Sequence, residues 1–264
     1  CDALDEVLRI AGVAAAVMPT QGREFKKQRS PNVDSSTGHG NYLRLGFCKR
    51  GLPTIPILIK TWLSLIIWQD ERTWVKVGMA KQEKALIVGA GHGLSASLAR
   101  LFAQEGMQVA LAARNKDKLA ALATETGAQA YACDAADPAS VAALFEAVTA
   151  DSGAPNIVVY NASNRGGRGP VTELDPEAVR NALLVSAYGG FLVAQAAAKR
   201  MIPAGGGTIL LTGASASVKG YPNSSSFAMG KFGLRGLAQS LARELQPQNI
   251  HVGHFVIDGG IALL

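Results

Sequence analysis

From Lys84 onward, short runs of consecutive apolar residues alternate with longer stretches whose apolar positions recur every three or four residues. Ala85, Leu86, Ile87 and Val88 form an unbroken apolar run, as expected of a strand buried on both faces. Helical spacing follows over residues 94–104 and stops before Gly106. The alternation then continues: strand 109–113, helix 116–126 closed by Gly127, strand 130–133, helix 138–150 and strand 157–160. A long helix over 176–201, a strand over 208–211, a helix over about 224–245 and a strand over 252–257, again reading as buried, complete the pattern. Strands separated by helices imply right-handed parallel crossovers, so the expected fold is α/β with a doubly wound parallel sheet.

Residues 1–78 break this pattern. They mix Gly, Pro, Ser and Lys without sustained periodicity, and Met79 stands where the alternation is about to begin. The expected division is an N-terminal extension over 1–78, non-native or disordered, followed by one domain over 79–264. The chain opens on Cys1 and ends at Ile261-Ala262-Leu263-Leu264 directly after a predicted strand, so the domain is expected to be truncated at its C-terminus. Residues 52–68 are mostly apolar but are interrupted by Pro53, Pro56 and Lys60. A spanning helix needs about 20 apolar residues. The run therefore reads as a surface-lying or aggregating segment, and its position does not suit a secretory signal. No membrane partner is expected.

Hydrophobic residues make up 48% of the 264, which suffices for one sizeable core. The net charge of +6 is concentrated at the front: residues 1–78 carry 11 basic against 7 acidic side chains, the remainder 15 against 13. No basic stripe with interleaved aromatics occurs, so no nucleic-acid partner is expected. Cys1, Cys48 and Cys133 have neither metal-ligand spacing nor the makings of a disulfide framework. No metal is expected, and a reducing, cytoplasmic setting fits. Cys133 falls in a predicted buried strand, where a thiol behaves as a small apolar group.

The first candidate chemistry lies between the first strand and the first helix, in Val88-Gly89-Ala90-Gly91-His92-Gly93-Leu94. Gly89, Gly91 and Gly93 permit a tight turn and close approach of backbone to a pyrophosphate. The helix opening at Leu94 supplies free N–H groups and a positive dipole end. Within a strand–turn–helix frame this predicts a Rossmann-type dinucleotide site. His92 projects from the turn and is a candidate phosphate contact. The second strand ends at Arg114, where an acidic residue would bind adenosine ribose hydroxyls. A guanidinium there suits a 2′-phosphate instead, which favours NADP over NAD.

These motifs together resemble the short-chain dehydrogenase/reductase family from about Met79 to Ile261. Its first motif is Thr-Gly-x-x-x-Gly-x-Gly. Here Val88 replaces the Thr, Gly89 and Gly93 match, and Ser95 replaces the last Gly. Asp134 matches the family's adenine-contacting aspartate after the third strand. Asn161 and Ala162 match the centre of the motif after the fourth strand, with Tyr160 and Ser163 on either side. The catalytic set departs further. Lys231 matches the family's lysine, but Phe227 occupies the position of the proton-donating tyrosine. Ala214 occupies that of the serine, with Ser215 beside it. Ser186 stands where the family has an asparagine that anchors a proton-relay water.

The resemblance implies an NAD(P)-dependent oxidoreductase, NADP(H) favoured, acting on a small substrate through an activated C=C or carbonyl group. The substituted site supports an alternative, a non-catalytic NADP-binding sensor or partner subunit. Ser215, Tyr221 and residues 224–226 are candidate substitutes for the missing hydroxyl, and Arg165 and Arg168 lie where the family's substrate cleft opens. Leu234, Leu237, Leu241 and Leu245 form a helical stripe expected to be core. Family members often pair across the helix carrying the lysine, so a homodimer or homotetramer is implied.

Overall fold

The structure is a computed structural model and describes residues 66–68, 74–76 and 82–258. The strands Ile66–Trp68 and Trp74–Lys76 pair antiparallel with Trp68 opposite Trp74. Only these two strands of the expected N-terminal extension are described. The expectations for the rest of 1–78, including most of the 52–68 run, and for the chain end at 261–264 lie outside the described residues.

Residues 82–258 build a six-stranded parallel sheet. Its strands are β1 (Lys84–Val88), β2 (Gln108–Ala113), β3 (Gln129–Ala132), β4 (Ile157–Tyr160), β5 (Gly207–Ala214) and β6 (Ile250–Ile257). They lie in the order β3-β2-β1-β4-β5-β6, so the winding reverses between β1 and β4. This is the doubly wound Rossmann-type sheet the apolar runs predict. A ligand crevice opens beyond the carboxyl ends of the strands at such a reversal.

Helices cover both faces. On one side α1 (Leu94–Gln104) brings Phe102 against Ala85, Ile87, Val109 and Leu111. Leu119, just before α2 (Ala120–Thr126), joins the same cluster. On the other side α3 (Pro138–Ser152), α5 (Gly189–Ala204) and α6 (Ser225–Leu245) pack Phe145, Val193, Met201 and Leu234 against Leu86, Val158, Ile209 and Leu211. Neighbouring strand residues thus feed opposite cores, which is why β1 is apolar without alternation. Leu234 and Leu245 are buried, and Leu237 and Leu241 pack against the same core, so the leucine stripe is interior. Asp137 and Asp175 start α3 and α4 (Pro176–Leu183) by accepting backbone N–H bonds, each followed by a proline in the first turn.

Three expectations need correction. The predicted continuous helix over 176–201 is α4, then a π-helical turn at Leu184–Tyr188, then α5. Apolar spacing does not register one extra residue per turn. The fifth strand runs on to Ala214, because Gly213 and Ala214 pair with Val256 and Ile257 of β6. Small residues there read as loop but serve as sheet. Finally, β6 is not buried: it lies at the end of the strand order, and only Ile250 is fully covered. Among the described residues one helical run, Pro176–Ala204, is long and apolar enough to cross a membrane. Its Leu192, Val193, Ala197 and Met201 are used in the core.

Candidate active site

The turn after β1 is tied down from three sides. The N–H groups of Gly89 and Ala90 both donate to the Ala112 carbonyl of β2, and the Asn161 N–H donates to the Val88 carbonyl. Gly89 has φ +85, and a Cβ there would lie 2.3 Å from the backbone nitrogen of Ala162. Only glycine allows β1's turn to meet the end of β4 so closely. The Ser95 hydroxyl donates to the Gly89 carbonyl (3.1 Å), and the Asn161 amide donates to Ser95 Oγ (2.7 Å) and Gly89 O (3.3 Å). Ser95 is thus a buried clamp of the turn, a role that its reading as a substituted glycine missed.

Beyond that clamp the turn is open. Cβ atoms at Gly91 or Gly93 would meet nothing within 4 Å, no side chain caps α1, and its first turn has no acidic residue. The first N–H groups of α1 are therefore left uncovered, with a positive dipole end behind them. His92 is exposed beside it, and Leu94 opens the helix. Arg114 is exposed just past the end of β2. Past β3, the Asp134 carboxylate accepts the Ala136 N–H (3.0 Å) at one oxygen. Its own N–H donates to Ser140 Oγ (2.9 Å). A turn open at Gly91 and Gly93, a basic group at β2 and an acidic group at β3 are what a dinucleotide lying along the crevice would need. Neighbouring Cys133 is buried, and burial pushes its thiol up to about 11, which disfavours the thiolate.

The other end of the crevice is built by β5, α6 and the loop after β4. Lys231 is 3% exposed, and its ammonium donates to the Thr212 carbonyl at 2.8 Å. Burial, with the Arg165 charge nearby, lowers its pKa to about 8. One acceptor leaves the remaining ammonium protons for a ligand. Phe227, one helical turn earlier, has two cations near its ring: Arg165 Cζ is 4.8 Å from the centroid and Lys231 Nζ 5.7 Å. Phe227, Ala214, Ser215, Tyr221 and Ser224 line a cavity of about 370 Å³ together with Arg165 and Arg168. Residues singled out from three separate stretches of sequence therefore meet at one place.

Ser186 does not reach that cavity. It is buried in the π-helical turn, where its hydroxyl accepts the Asn164 N–H and donates to the Asn164 carbonyl, both at 3.1 Å. Its bonds are committed to the loop after β4. The π-helical turn is held in part by buried Tyr160, whose hydroxyl donates to the Val185 carbonyl. Sequence reasoning also passed over His254 on β6. Burial, with Arg235 and Lys231 nearby, lowers its pKa to about 4, and its buried Nε2 has no partner. Nothing in the spacing of one histidine in a β-like run signals this. Ser226 is likewise buried, its hydroxyl unpartnered close to Gly166.

Fold and crevice together define a doubly wound α/β protein with a glycine turn at one end of the crevice and a cavity at the other. The family model described as enoyl-(acyl carrier protein) reductase matches residues 89–261. D-threitol dehydrogenase of Mycolicibacterium smegmatis is 33% identical over 173 residues, covering 64% of this chain and 66% of that protein. The chain thus spans just under two thirds of that relative's length. The structure of NAD+-bound xylitol dehydrogenase aligns with a TM-score of 0.64 at 29% identity, over 67% of this chain and 70% of that one. A metagenomic short-chain oxidoreductase in complex with NADP aligns at 0.63 and 28% identity, over 68% of this chain and 83% of that one. The chain belongs to the short-chain dehydrogenase/reductase family of oxidoreductases.

Proposed function

We propose that this chain binds NADP(H) in preference to NAD(H) and serves hydride transfer to or from a small substrate in the Arg165–Phe227 cleft. The reacting group in this reading is an activated C=C bond or a carbonyl. The bound nicotinamide supplies or accepts the hydride. Gly89, Gly91 and Gly93 leave room for the diphosphate, the N–H groups at Leu94 and Ser95 bind it, and Arg114 takes the 2′-phosphate. Lys231, anchored on Thr212, offers its free protons to ribose hydroxyls. Asn161 and Ala162 hold the turn, and Asp134 lies beside the adenine end. The observation that carries this reading is the clamp joining Gly89, Ser95 and Asn161, present in the same molecule as the buried Lys231.

The cleft constrains the chemistry. Hydride addition to a ketone builds negative charge on oxygen, and a positioned acid contributes about 10²–10⁴-fold. Phe227 has no proton to give, and Ala214 has no hydroxyl to stabilise the oxygen. Hydride addition to the β-carbon of an activated C=C bond also moves charge onto the activating carbonyl oxygen, as an enolate. That charge is delocalised and the final proton goes to the α-carbon, from water or from Ser215, so no acid has to protonate the oxygen. The test is NADPH consumption against panels of enoyl and carbonyl compounds. Turnover is expected with an enoyl class, and no turnover with any class rejects hydride transfer.

The absence of a proton donor at both Phe227 and Ala214 favours one second reading, an NADP-binding sensor or partner subunit without turnover. The two readings share cofactor binding and part at the activity assay. Under either, the protein works in the cytoplasm as a homodimer or homotetramer, which light scattering of the purified chain checks.

A further inference from the structure

The Phe227 position has a second consequence. Its ring carries the Arg165 guanidinium at 4.8 Å, and Arg168 lines the same 370 Å³ cavity. A guanidinium seated over an aromatic ring still has N–H donors to offer, and such a fork receives a carboxylate or phosphate. Among the described residues neither arginine has a carboxylate partner: the ion pairs there are Arg100–Glu125 and Arg180–Glu177.

The loop bearing both arginines is anchored rather than loose. Ser186 holds Asn164 by two hydrogen bonds, and Asn164 Oδ1 accepts the Gly166 N–H at 3.1 Å. Gly166 is buried with φ +66, and a Cβ there would lie 2.2 Å from Ser226 Oγ and 2.6 Å from Ala182 Cβ. The Gly169 N–H donates to the Asn223 carbonyl at 3.2 Å. Each arginine thus sits next to a fixed backbone point. The Ser215 and Ser224 hydroxyls line the same space as further donors.

We infer that the cleft selects substrates bearing an oxyanion, a carboxylate or phosphate, held between Arg165, seated over the Phe227 ring, and Arg168. The inference deepens the proposed reading of this cleft and rests on it only for what happens to the substrate, not for anion binding itself. In this account phenylalanine at 227 both removes an acid and provides the uncharged ring on which the guanidinium rests.

The experiment titrates the 264-residue chain, without cofactor, with inorganic phosphate, succinate and neutral dimethyl succinate. It is repeated on Arg165→Gln, Arg168→Gln and Arg165→Lys, with thermal melts confirming the fold of these exposed-site variants. Loss of a charge-assisted hydrogen bond corresponds to about ten- to hundredfold weaker binding. The expected result is binding of phosphate or succinate but not of the diester, weakened at least about tenfold by either Gln substitution and less by Lys. Which anion binds tells a phosphate-bearing substrate from a carboxylate-bearing one. Absence of binding by both anions, or binding unchanged in both Gln variants, overturns the inference. Anion binding without NADPH turnover leaves it standing and rejects the hydride-transfer reading instead.

Discussion

The two ends of the crevice are built differently. At the β1–α1 end the candidate surface is backbone, glycines and helix N–H groups, tied down from behind by the side chains of Ser95 and Asn161. At the β5–α6 end it is side chains drawn from separate elements: Lys231, Phe227, Ala214, Ser215 and the two arginines. Backbone sites tolerate side-chain replacement, as Ser95 in place of a glycine illustrates. Side-chain sites do not, because one substitution can keep the packing and remove the chemistry. Phe227 fills a ring's volume but carries no hydroxyl.

The largest expected effect restores the chemistry of the second end. Phe227→Tyr with Ala214→Ser should raise NADPH-dependent ketone reduction by about 10²–10⁴-fold over the unaltered chain. A steady-state assay checks this, and no gain means the cleft differs by more than its missing donors. Next, Gly89→Ala attacks the backbone end. The positive φ alone costs about 1–2 kcal/mol, and the collision with Ala162 adds to it. Loss of dinucleotide binding and a lower denaturation midpoint are expected, read by calorimetry and urea titration. A melt and affinity matching the unaltered chain would show that the turn can rearrange.

Lys231 gives a pH signature. Unfolding returns its amine from about 8 to its ordinary 10.5. Between those values the unfolded chain holds more protons, so stability should rise with pH across that window. Below about pH 8 both states are protonated and the full cost of the buried charge is present. Lys231→Met should flatten this rise and stabilise the fold at neutral pH, while weakening cofactor binding. Urea midpoints from pH 7 to 10.5 test it, and an unchanged slope rejects the assignment. The smallest effect is expected for Ser186→Ala, which removes both bonds to Asn164 and should cost about 1–2 kcal/mol. Its readout is the urea midpoint together with any loss of anion affinity through the loosened arginine loop.

The contrast also explains what could be read in advance. Strands such as Ala85–Val88 are legible because burial on both faces demands an unbroken apolar run, and the turn at 89–93 because glycine has few other uses between a strand and a helix. The π-helical turn at Leu184–Tyr188 is not legible, since a single inserted residue leaves helical apolar spacing nearly intact. The placement of Arg165 over the Phe227 ring joins residues 62 positions apart, and no local pattern encodes it. The buried environment of His254 depends on α6 packing over β6, which the periodicity of neither element reveals.

The most direct test of the account is calorimetric titration of NADPH and NADH into the folded chain, alongside Gly89→Ala. The prediction is saturable uptake of one NADPH per chain, weaker uptake of NADH, and loss of both in the variant. Absence of binding by either dinucleotide to the folded protein, or equal binding by the variant, would contradict it.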